Sequence, residues 1–263
     1  QSNYLGLVQP DGALELYHGG LRVKNANGDT LFDHIDYCQY NDYIHEEVRS
    51  WSYMKFPYLT SLGKEAGWYR VGPLARVNNC DYINTPIAET ERVEFKAHSA
   101  DAMVHSTLAF HWARLIELLH CAESIKELLN DCDIIRHDEP VKGERRFEGI
   151  GVIEATRGTL FHHYQVDEND IVTKANLIVS TTSNNMGMNE SVRQVAAEYL
   201  SGQELTEPLL NNLEVAIRAY DPCLSCATHA VGKMPLQVEL INSAGDIIDK
   251  LIKHDTGHIE HIQ

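Results

Sequence analysis

The sequence predicts an α+β fold that is mainly helical, with long core helices and small antiparallel sheets. Apolar residues recur at helical spacing over long stretches, most clearly over residues 102–130. Elsewhere, short apolar segments are separated by Gly, Pro, Asn and Asp, which is typical of strands joined by tight turns. With 263 residues, of which 43% are hydrophobic, the chain can bury the core of one large domain or two small ones.

Short strands are predicted at the start of the chain, at 4–8, 13–17 and 21–24. Pro10-Asp11-Gly12 and Asn27-Gly28-Asp29 supply the turn residues. A helix is expected to follow at 42–53, and residues 54–85 are expected to be irregular and rich in turns.

The clearest helix pattern runs over residues 102–130. Its apolar stripe consists of Val104, Leu108, Leu115, Leu118, Ala122, Ile125 and Leu129. His105, His111 and His120 lie on the same segment but do not share one face at ligand spacing. We therefore interpret these three histidines as structural or exposed side chains.

A charged stretch at 137–148, with Pro140 and Gly143, is predicted to be a loop. A second small antiparallel sheet is expected from strands at 149–154, 160–166 and 171–179, with the turn between the last two at 167–170. This arrangement places Arg157 in a connection between two strands.

Two further helices are predicted, at 190–201 and 207–219. Asn189 is the expected cap of the first and Thr206 of the second, which has Pro208 in its first turn. Their apolar faces carry Val192, Val195 and Tyr199, and Leu210, Leu213 and Ile217. Beyond them, strands are expected at 236–240 and 247–252, paired across a turn at 242–245.

Asp221-Pro222 is expected to end the second of these helices, because proline lacks an amide hydrogen and disfavours helix in the residue before it. Cys223 and Cys226 follow at once, and their spacing can turn both sulfurs toward one nickel, iron or zinc ion. Taken alone, the pair also fits a redox dithiol, half a zinc site or coincidence, since the 6 cysteines contain no second Cys-x-x-Cys. The other four cysteines are scattered singly, as expected of buried thiols in a reducing compartment.

Four blocks of the sequence resemble those of nickel-iron hydrogenase large subunits. They are Asp-Pro-Cys-x-x-Cys-x-x-His at 221–229, Gly-Pro-Leu-Ala-Arg within 67–78, Glu-Ala-Thr-Arg-Gly-x-Leu-x-His within 154–164 and Val-Ser-Thr-Thr-Ser-Asn at 179–184. They follow the order and near spacing of the family. Thr156 and Ser180 replace the proline of the common pattern, and Ser183 replaces a tryptophan, which is most like the cytoplasmic NAD-reducing (bidirectional) branch.

The resemblance implies a nickel-iron centre with cyanide and carbon monoxide ligands. In it, Cys223 would be a terminal nickel thiolate and Cys226 a thiolate that bridges nickel and iron. Arg157 would hold its guanidinium over the open face of the metals, where its planar donors can bind a cyanide. Thr181 would donate a hydrogen bond to the second cyanide.

The remaining implied roles are less distinctive by residue type. Leu160 and Val179 would form the apolar wall around the carbon monoxide, although two aliphatic residues most often pack in a core. His229 and the backbone carbonyl of Leu177 match the family's magnesium site. One histidine among 14 is otherwise most often hydrogen-bonded or exposed.

In that family two more nickel thiolates come from an N-terminal Cys-x-x-Cys, next to a proton-relaying glutamate, and neither feature occurs in these 263 residues. The chain is therefore expected to be the C-terminal portion of a large subunit, in residues 1–229. Residues 230–263 would be the extension that an endopeptidase removes on maturation. This form is expected to be a metal-free precursor that does not assemble the centre unaided.

The implied activity is reversible oxidation of hydrogen to protons and electrons, coupled to NAD reduction. The implied partners are an iron-sulfur small subunit, flavin/NAD diaphorase subunits, the maturation endopeptidase and nickel-insertion chaperones. One alternative is a non-catalytic maturation-stage substrate of the endopeptidase. Another is a respiratory-complex quinone-reductase-like subunit without metal, against which both cysteines argue.

The charge balance limits other partners. A net charge of −16 argues against nucleic acid and against anionic membranes. The sequence has no apolar run long enough for a bilayer span and no signal peptide, so a cytoplasmic location is expected. It has no Gly-x-Gly-x-x-Gly loop, so another subunit would have to bind NAD.

Overall fold

The computed structural model describes residues 2–101, 103–136, 143–199, 204–228 and 235–262. The strands are β1 (Asn3–Val8), β2 (Gly20–Lys24), β3 (Thr30–Ile35), β4 (Ile44–Glu47), β5 (Phe56–Leu59), β6 (Tyr69–Arg70), β7 (Glu148–Ala155), β8 (Gly158–Val166), β9 (Val172–Ile178), β10 (Leu236–Ile241), β11 (Ile247–Lys253) and β12 (Ile259–Ile262). The helices are α1 (Tyr40–Tyr43), α2 (Gly63–Ala66), α3 (Pro73–Asn79), α4 (Pro86–Ala97), α5 (Ala109–Leu129), α6 (Ser180–Ser183), α7 (Asn185–Tyr199), α8 (Glu207–Ala219) and α9 (Leu224–Thr228).

The sheets are small, and the predicted fold class is confirmed. The first sheet has the order β3-β2-β1-β6, in which β6 pairs parallel to β1 and the other neighbours are antiparallel. Strands β4 and β5 form a hairpin, and β7, β8 and β9 form an antiparallel meander. Strands β10, β11 and β12 form another antiparallel meander.

Several predicted elements are confirmed. Strands β1 and β2 lie where the first and third apolar segments predicted them, and β7, β8 and β9 reproduce the second sheet with its turn at 167–170. Helix α8 has the predicted bounds, and strands β10 and β11 pair as expected. Two strands were not predicted: β12, which pairs with β11, and β3, which pairs with β2 in the first sheet.

The predictions for 13–17 and 42–53 are wrong. At 13–17 the backbone makes only isolated bridges, because the Leu14 N–H bonds to the Tyr82 carbonyl instead of to a neighbouring strand. The helix predicted at 42–53 stops at Tyr43, and the chain then extends because Ile44 is buried opposite Leu59 in the β4–β5 hairpin. Long-range pairing overrides local propensity in both places.

Residues 54–85 are not irregular, since β5, α2, β6 and α3 fill most of them. Helix α4 was not predicted either. Helix α7 begins at Asn185, so Asn189 lies inside it and is not its cap. Thr206 does occupy the N-cap of α8, with Pro208 in the first turn, but its side chain makes no capping hydrogen bond. Residues 137–142 of the predicted loop and residues 200–201 of the predicted helix lie outside the described residues.

Helix α5 starts at Ala109, later than predicted, and buries a different face. Its buried side chains are Phe110, Ala113, Ile116, Glu117 and His120. Members of the predicted stripe, including Leu115, Leu118 and Ile125, are exposed. Apolar residues lie on both the buried and the exposed sides of α5, so their spacing alone did not identify the side that packs.

A buried ion cluster connects α3, α5 and β7. The Arg76 guanidinium donates to both oxygens of Glu117, at 2.5 and 2.6 Å, and to Oε2 of Glu154 at 2.7 Å. Glu154 also accepts from the Leu7 N–H and the Thr159 hydroxyl. All three charged groups are buried, so the cluster holds these elements in one fixed arrangement.

Two glycines bring the start of α3 into direct contact with the β7–β8 connection. Gly72 has φ 94° and Gly158 has φ 136°, and both are in backbone conformations that disfavour other residues. A Cβ on Gly72 would lie 2.6 Å from the Arg157 carbonyl oxygen, and one on Gly158 would lie 2.4 Å from Val71 Cγ2. Asn184 also holds this segment in place, because its side chain accepts from the Val71 N–H at 2.9 Å and donates to the Val71 carbonyl.

The sheet formed by β10, β11 and β12 packs against α8 and the segment before it. Leu251 forms a small apolar core with Leu205 and Leu210. The Asp249 carboxylate accepts from the Leu205 N–H, and Lys253 pairs with Glu214 of α8. This sheet therefore forms a folded unit that is docked on the helix leading into the cysteine motif.

We predict that Gly158→Ala lowers the free energy of unfolding by about 3 kcal/mol. The positive φ costs an alanine roughly 1–2 kcal/mol, and the clash with Val71 adds an overpacking cost of similar size. Urea denaturation measures the change. Gly149→Ala is the matched control, because Gly149 lies in the same sheet with no atom within 4 Å of its Cβ position; equal losses in the two variants would show that the Gly72–Gly158 contact has no special importance.

Candidate functional site

The two cysteines of the motif lie on a turn and a short helix directly after α8. The C-terminal end of α8 is followed by Asp221 in the left-handed conformation, with φ 50°, and its N–H bonds back to the Arg218 carbonyl. Pro222 then prevents continuation of the helix. The Cys223 and Cys226 sulfurs lie 2.6 Å apart and both cysteines are free, so the turn presents a pair of neighbouring thiols.

These sulfurs line a cleft of about 390 Å³. Three stretches of chain form it: the β7–β8 connection with the start of β8, the end of β9 with α6, and the cysteine turn. Its lining residues are Ala155, Thr156, Arg157, Leu160, His162, Leu177, Val179, Ser180, Thr181, Cys223 and Cys226. Seven of the eight residues that the resemblance singled out therefore meet at one place. The eighth, His229, lies outside the described residues.

Arg157 is held in place by the residue that ends α8. Its Nε donates to the Asp221 carbonyl at 2.7 Å, and the same nitrogen lies 3.3 Å from the Asp221 carboxylate. The Arg157 side chain is 40% exposed and lines the cleft, so its other guanidinium nitrogens remain available to a ligand. Asp221 thus positions the only arginine or lysine among the lining residues of this cleft.

Thr181 fastens the cysteine turn to α6. Its buried hydroxyl oxygen accepts from the Cys223 N–H at 3.0 Å, and its hydroxyl hydrogen has no acceptor among the described residues. The neighbouring Ser180 hydroxyl donates to the Gly158 carbonyl at 2.6 Å, which ties α6 to the β7–β8 connection. The Thr181 hydroxyl can therefore donate into the cleft while it accepts from the turn.

Aliphatic side chains form part of the lining. Leu160 and Val179 are half-buried at the start of β8 and before α6, and both line the cleft. Leu177 lies opposite His162 in the β8–β9 ladder. The lining therefore combines polar groups, from Arg157 and Thr181, with apolar side chains.

The two thiols influence each other's ionisation. The Cys226 thiol lowers the pKa of Cys223 because its S–H can hydrogen-bond to the Cys223 thiolate, and the positive charge of Arg157 adds to this effect. The same contact with Cys223 raises the pKa of Cys226. The first proton of the pair therefore leaves more readily than that of an isolated thiol, as a metal-binding thiolate requires.

Some residues of the site were missed at the level of sequence. Asp221 was interpreted only as a helix terminator, yet it also holds Arg157. Ser180 and His162 line the cleft as well, and the His162 Nδ1 is hydrogen-bonded to the Tyr164 hydroxyl at 2.9 Å. The available signal was their position inside or next to the resembling blocks, since three of the four blocks contribute lining residues.

The family comparison decides the identity of this arrangement. A family model described as nickel-dependent hydrogenase matches residues 16–229. The chain belongs to the nickel-dependent hydrogenase family. That matched region contains the cysteine pair and all three segments of the cleft.

Two relatives of this nickel-dependent hydrogenase chain illustrate its position in the family. It is 48% identical to the beta subunit of the NAD-reducing hydrogenase HoxS of Cupriavidus necator, over 93% of this chain and 51% of that protein. It is 41% identical to a component of the F420-non-reducing hydrogenase of Methanothermobacter thermautotrophicus, over 95% of this chain and 53% of that protein. The chain therefore spans about half the length of the curated relatives it matches.

Solved structures agree with this family membership. A crystal structure of an NAD⁺-reducing [NiFe]-hydrogenase in the H2-reduced state superposes with a TM-score of 0.83 at 54% identity, covering 87% of this chain and 51% of that one. The Ni-Fe-Se hydrogenase of Desulfovibrio vulgaris Hildenborough has a TM-score of 0.56 at 20% identity, covering 86% and 52%, which shows a shared fold alone. The hydrogenase large-subunit fold predicted from the sequence is thereby confirmed.

We predict that Thr181→Val lowers the free energy of unfolding by about 1 kcal/mol, because valine leaves the Cys223 N–H without its acceptor. Thr181→Ser is the matched control, since serine keeps the hydroxyl, and it should stay closer to the wild type. Chemical denaturation followed by circular dichroism compares the three proteins. A serine variant as unstable as the valine variant would assign the loss to the missing methyl group instead.

Proposed function

We propose that this chain is the metal-binding C-terminal portion of a nickel-iron hydrogenase large subunit, which reversibly oxidises hydrogen to protons and electrons. The observation that carries the proposal is the convergence of seven family-like residues on one cleft around two free thiols. The site residues are those implied by the resemblance: Arg157, Thr181, Cys223 and Cys226, with Leu160 and Val179.

The chemistry of the donor set fits a nickel-iron centre. Thiolates are the soft ligands that these metals favour, and both sulfurs point to the same place. Two thiolates on a tetrahedral ion, at about 2.3 Å each, lie roughly 3.8 Å apart. Binding therefore requires a small rotation of one side chain, which the exposed Cys226 can make.

A nickel-iron centre, when bound, supplies the redox-active metals at which hydrogen is split. Arg157 orients its remaining donors toward the cleft and places a positive charge beside the thiolates, while Asp221 limits its movement. Thr181 offers its hydroxyl hydrogen to an anionic ligand such as cyanide. Leu160 and Val179 present apolar surface to the same cleft, and a neutral ligand such as carbon monoxide would fit beside them.

The proposal extends to a magnesium ion beside the same cleft. Magnesium prefers oxygen ligands and retains several waters, so the backbone carbonyl of Leu177 is a suitable donor. Leu177 lies beside the cleft on β9. His229, the proposed second ligand, lies outside the described residues.

Coupling to NAD is proposed from the relatives, because two of them are described as NAD-reducing. As partners we propose an iron-sulfur small subunit, flavin/NAD diaphorase subunits, a maturation endopeptidase and nickel-insertion chaperones, in the cytoplasm. None of the helices in the described part of the chain is long and apolar enough to cross a membrane.

We further propose that residues 1–229 and 230–263 are separate units. The family match ends at residue 229, and residues 236–262 form their own three-stranded meander. Residues 230–263 would be the extension that the endopeptidase removes, and the chain would be a metal-free precursor. The contacts of the meander with α8 keep it folded on the surface of the first unit until that cut.

We predict that Cys226→Ser weakens Ni²⁺ binding to this chain by at least about tenfold, because a thiolate ligand is lost and even indirect changes around metal sites cost that much. Equilibrium dialysis with elemental mass spectrometry measures the bound nickel. Cys121→Ser, which removes an exposed cysteine on α5, should bind nickel like the wild type. Unchanged binding in Cys226→Ser would contradict the role assigned to this thiol.

We predict that Arg157→Lys lowers hydrogen turnover on the order of 10²-fold in a full-length large subunit that carries this sequence, with its nickel content retained. Lysine keeps the charge but cannot reproduce the planar donors. Hydrogen-dependent dye reduction measures turnover, and Arg145→Lys, an exposed site away from the cleft, is the control. Wild-type turnover in Arg157→Lys would demote Arg157 to a packing role.

A further inference from the structure

A second cleft, separate from the cysteines, contains the buried guanidinium of Arg70. Arg70 on β6 is only 7% exposed, yet it forms no ion pair within the part of the chain that the structure describes. Its Nη1 donates to the His105 carbonyl at 3.0 Å, and its Nε has no hydrogen-bond partner among the described residues. A buried guanidinium is normally paired, because an isolated charge in a low-dielectric environment is strongly unfavourable.

Arg70 cannot reduce the cost of its buried charge by moving toward solvent. Its backbone is paired with Tyr4 in the first sheet, and its guanidinium lies 5.7 Å from the centre of the Tyr4 ring. Helix α7 crosses its stem so closely that a Cβ on Gly187 would lie 3.2 Å from Arg70 Cγ. The positive charge is therefore fixed in position and ready for an incoming anion.

The cleft beside Arg70 has a volume of about 560 Å³. Residues 105–108 and helices α7 and α8 form its sides, and its lining includes Trp68, Thr107 and Gln194. Three large apolar side chains of the lining are about half exposed: Leu108 at 54%, Val215 at 47% and Tyr199 at 43%. The cleft thus combines one deep cation with an apolar rim, which is the composition of a small-molecule or side-chain pocket.

The charged residues around the cleft limit the charge of an anion that can bind beside Arg70. Glu190 and Glu198 line the same cleft, and Glu190 is paired with Arg193 instead of Arg70. Burial, with the charge of Arg70, lowers the pKa of His105, so this imidazole is neutral at pH 7 and adds no second cation. One cation among nearby carboxylates favours a singly charged ligand over a phosphate with two negative charges.

We propose that this cleft binds a carboxylate that is joined to an apolar group, with Arg70 as the anchoring cation. The two oxygens of a carboxylate match the fork of a guanidinium, and the apolar group would cover Leu108, Tyr199 and Val215. The carboxylate can belong to a free monocarboxylic acid or to an acidic side chain of a polypeptide segment. The inference does not depend on the proposed hydrogenase activity, because the two clefts share no lining residue.

Titration of the chain with hexanoate tests the site. The indole N–H signal of Trp68 in nuclear magnetic resonance spectra is the reporter, assigned with a Trp68→Phe variant. We expect a saturable shift with hexanoate, none with hexanol, and a weaker response to inorganic phosphate. Arg70→Met should bind hexanoate at least about tenfold more weakly, since a charge-assisted bond is lost.

Arg218→Met is the matched control, because it removes an exposed arginine of α8 whose partner, Glu214, does not line the cleft, and it should keep wild-type affinity for hexanoate. The comparison of hexanoate with hexanol uses the wild-type chain alone, so it remains decisive if Arg70→Met does not fold. Absence of a saturable shift, or equal responses to hexanoate and hexanol, or equal affinity in wild type and Arg70→Met, would overturn the proposal.

A second titration separates the two sources of the carboxylate. The peptide acetyl-Leu-Glu-Leu-amide is compared with its glutamine counterpart and with hexanoate, using the same Trp68 signal. Tighter binding of the glutamate peptide than of hexanoate supports an acidic side chain as the natural occupant. Tighter binding of hexanoate supports a small carboxylic acid.

Discussion

The buried contact of Arg76 with Glu154 and Glu117 is the interaction on which the rest of the architecture depends. Arg76 belongs to the first family block and Glu154 to the second, 78 residues later in the chain. Burial alone would lower the pKa of Arg76, but the two carboxylates raise it. Burial raises the pKa of Glu154, and the positive charge of Arg76 offsets part of this increase. Each charge is tolerated only because the others are present, so the two blocks must fold together.

Next to this contact, backbone segments of different blocks lie close together, and they form the cleft. Gly72 and Gly158 let the two blocks touch beside Arg157, and Asn184 binds both polar backbone atoms of Val71. The third block then supplies Thr181, which holds the cysteine turn. The four blocks are thus four parts of one hydrogen-bonded unit, which explains why residues so distant in the sequence line one small cavity.

The site was more predictable from the sequence than the fold around it. Most of the cleft residues lie in blocks that resemble the family in order and spacing, and the structure brings together all of the implied site residues that it describes. Local patterns failed where distant contacts decide the structure: Ile44 extends because Leu59 lies opposite it, and the Leu14 N–H bonds to Tyr82. The role of Asp221 was hidden, because its partner Arg157 lies 64 residues earlier.

Helix α5 has a consequence for the behaviour of the chain in solution. Its outward side exposes Leu115, Leu118, Ile125, Leu128 and Leu129, while its inward side packs in the core. The net charge of −16 keeps molecules apart by mutual repulsion. Salt screens that repulsion and strengthens apolar association at the same time. The colloidal stability of the chain therefore depends on ionic strength, and the outer side of α5 is one of the exposed apolar surfaces through which molecules would adhere to one another.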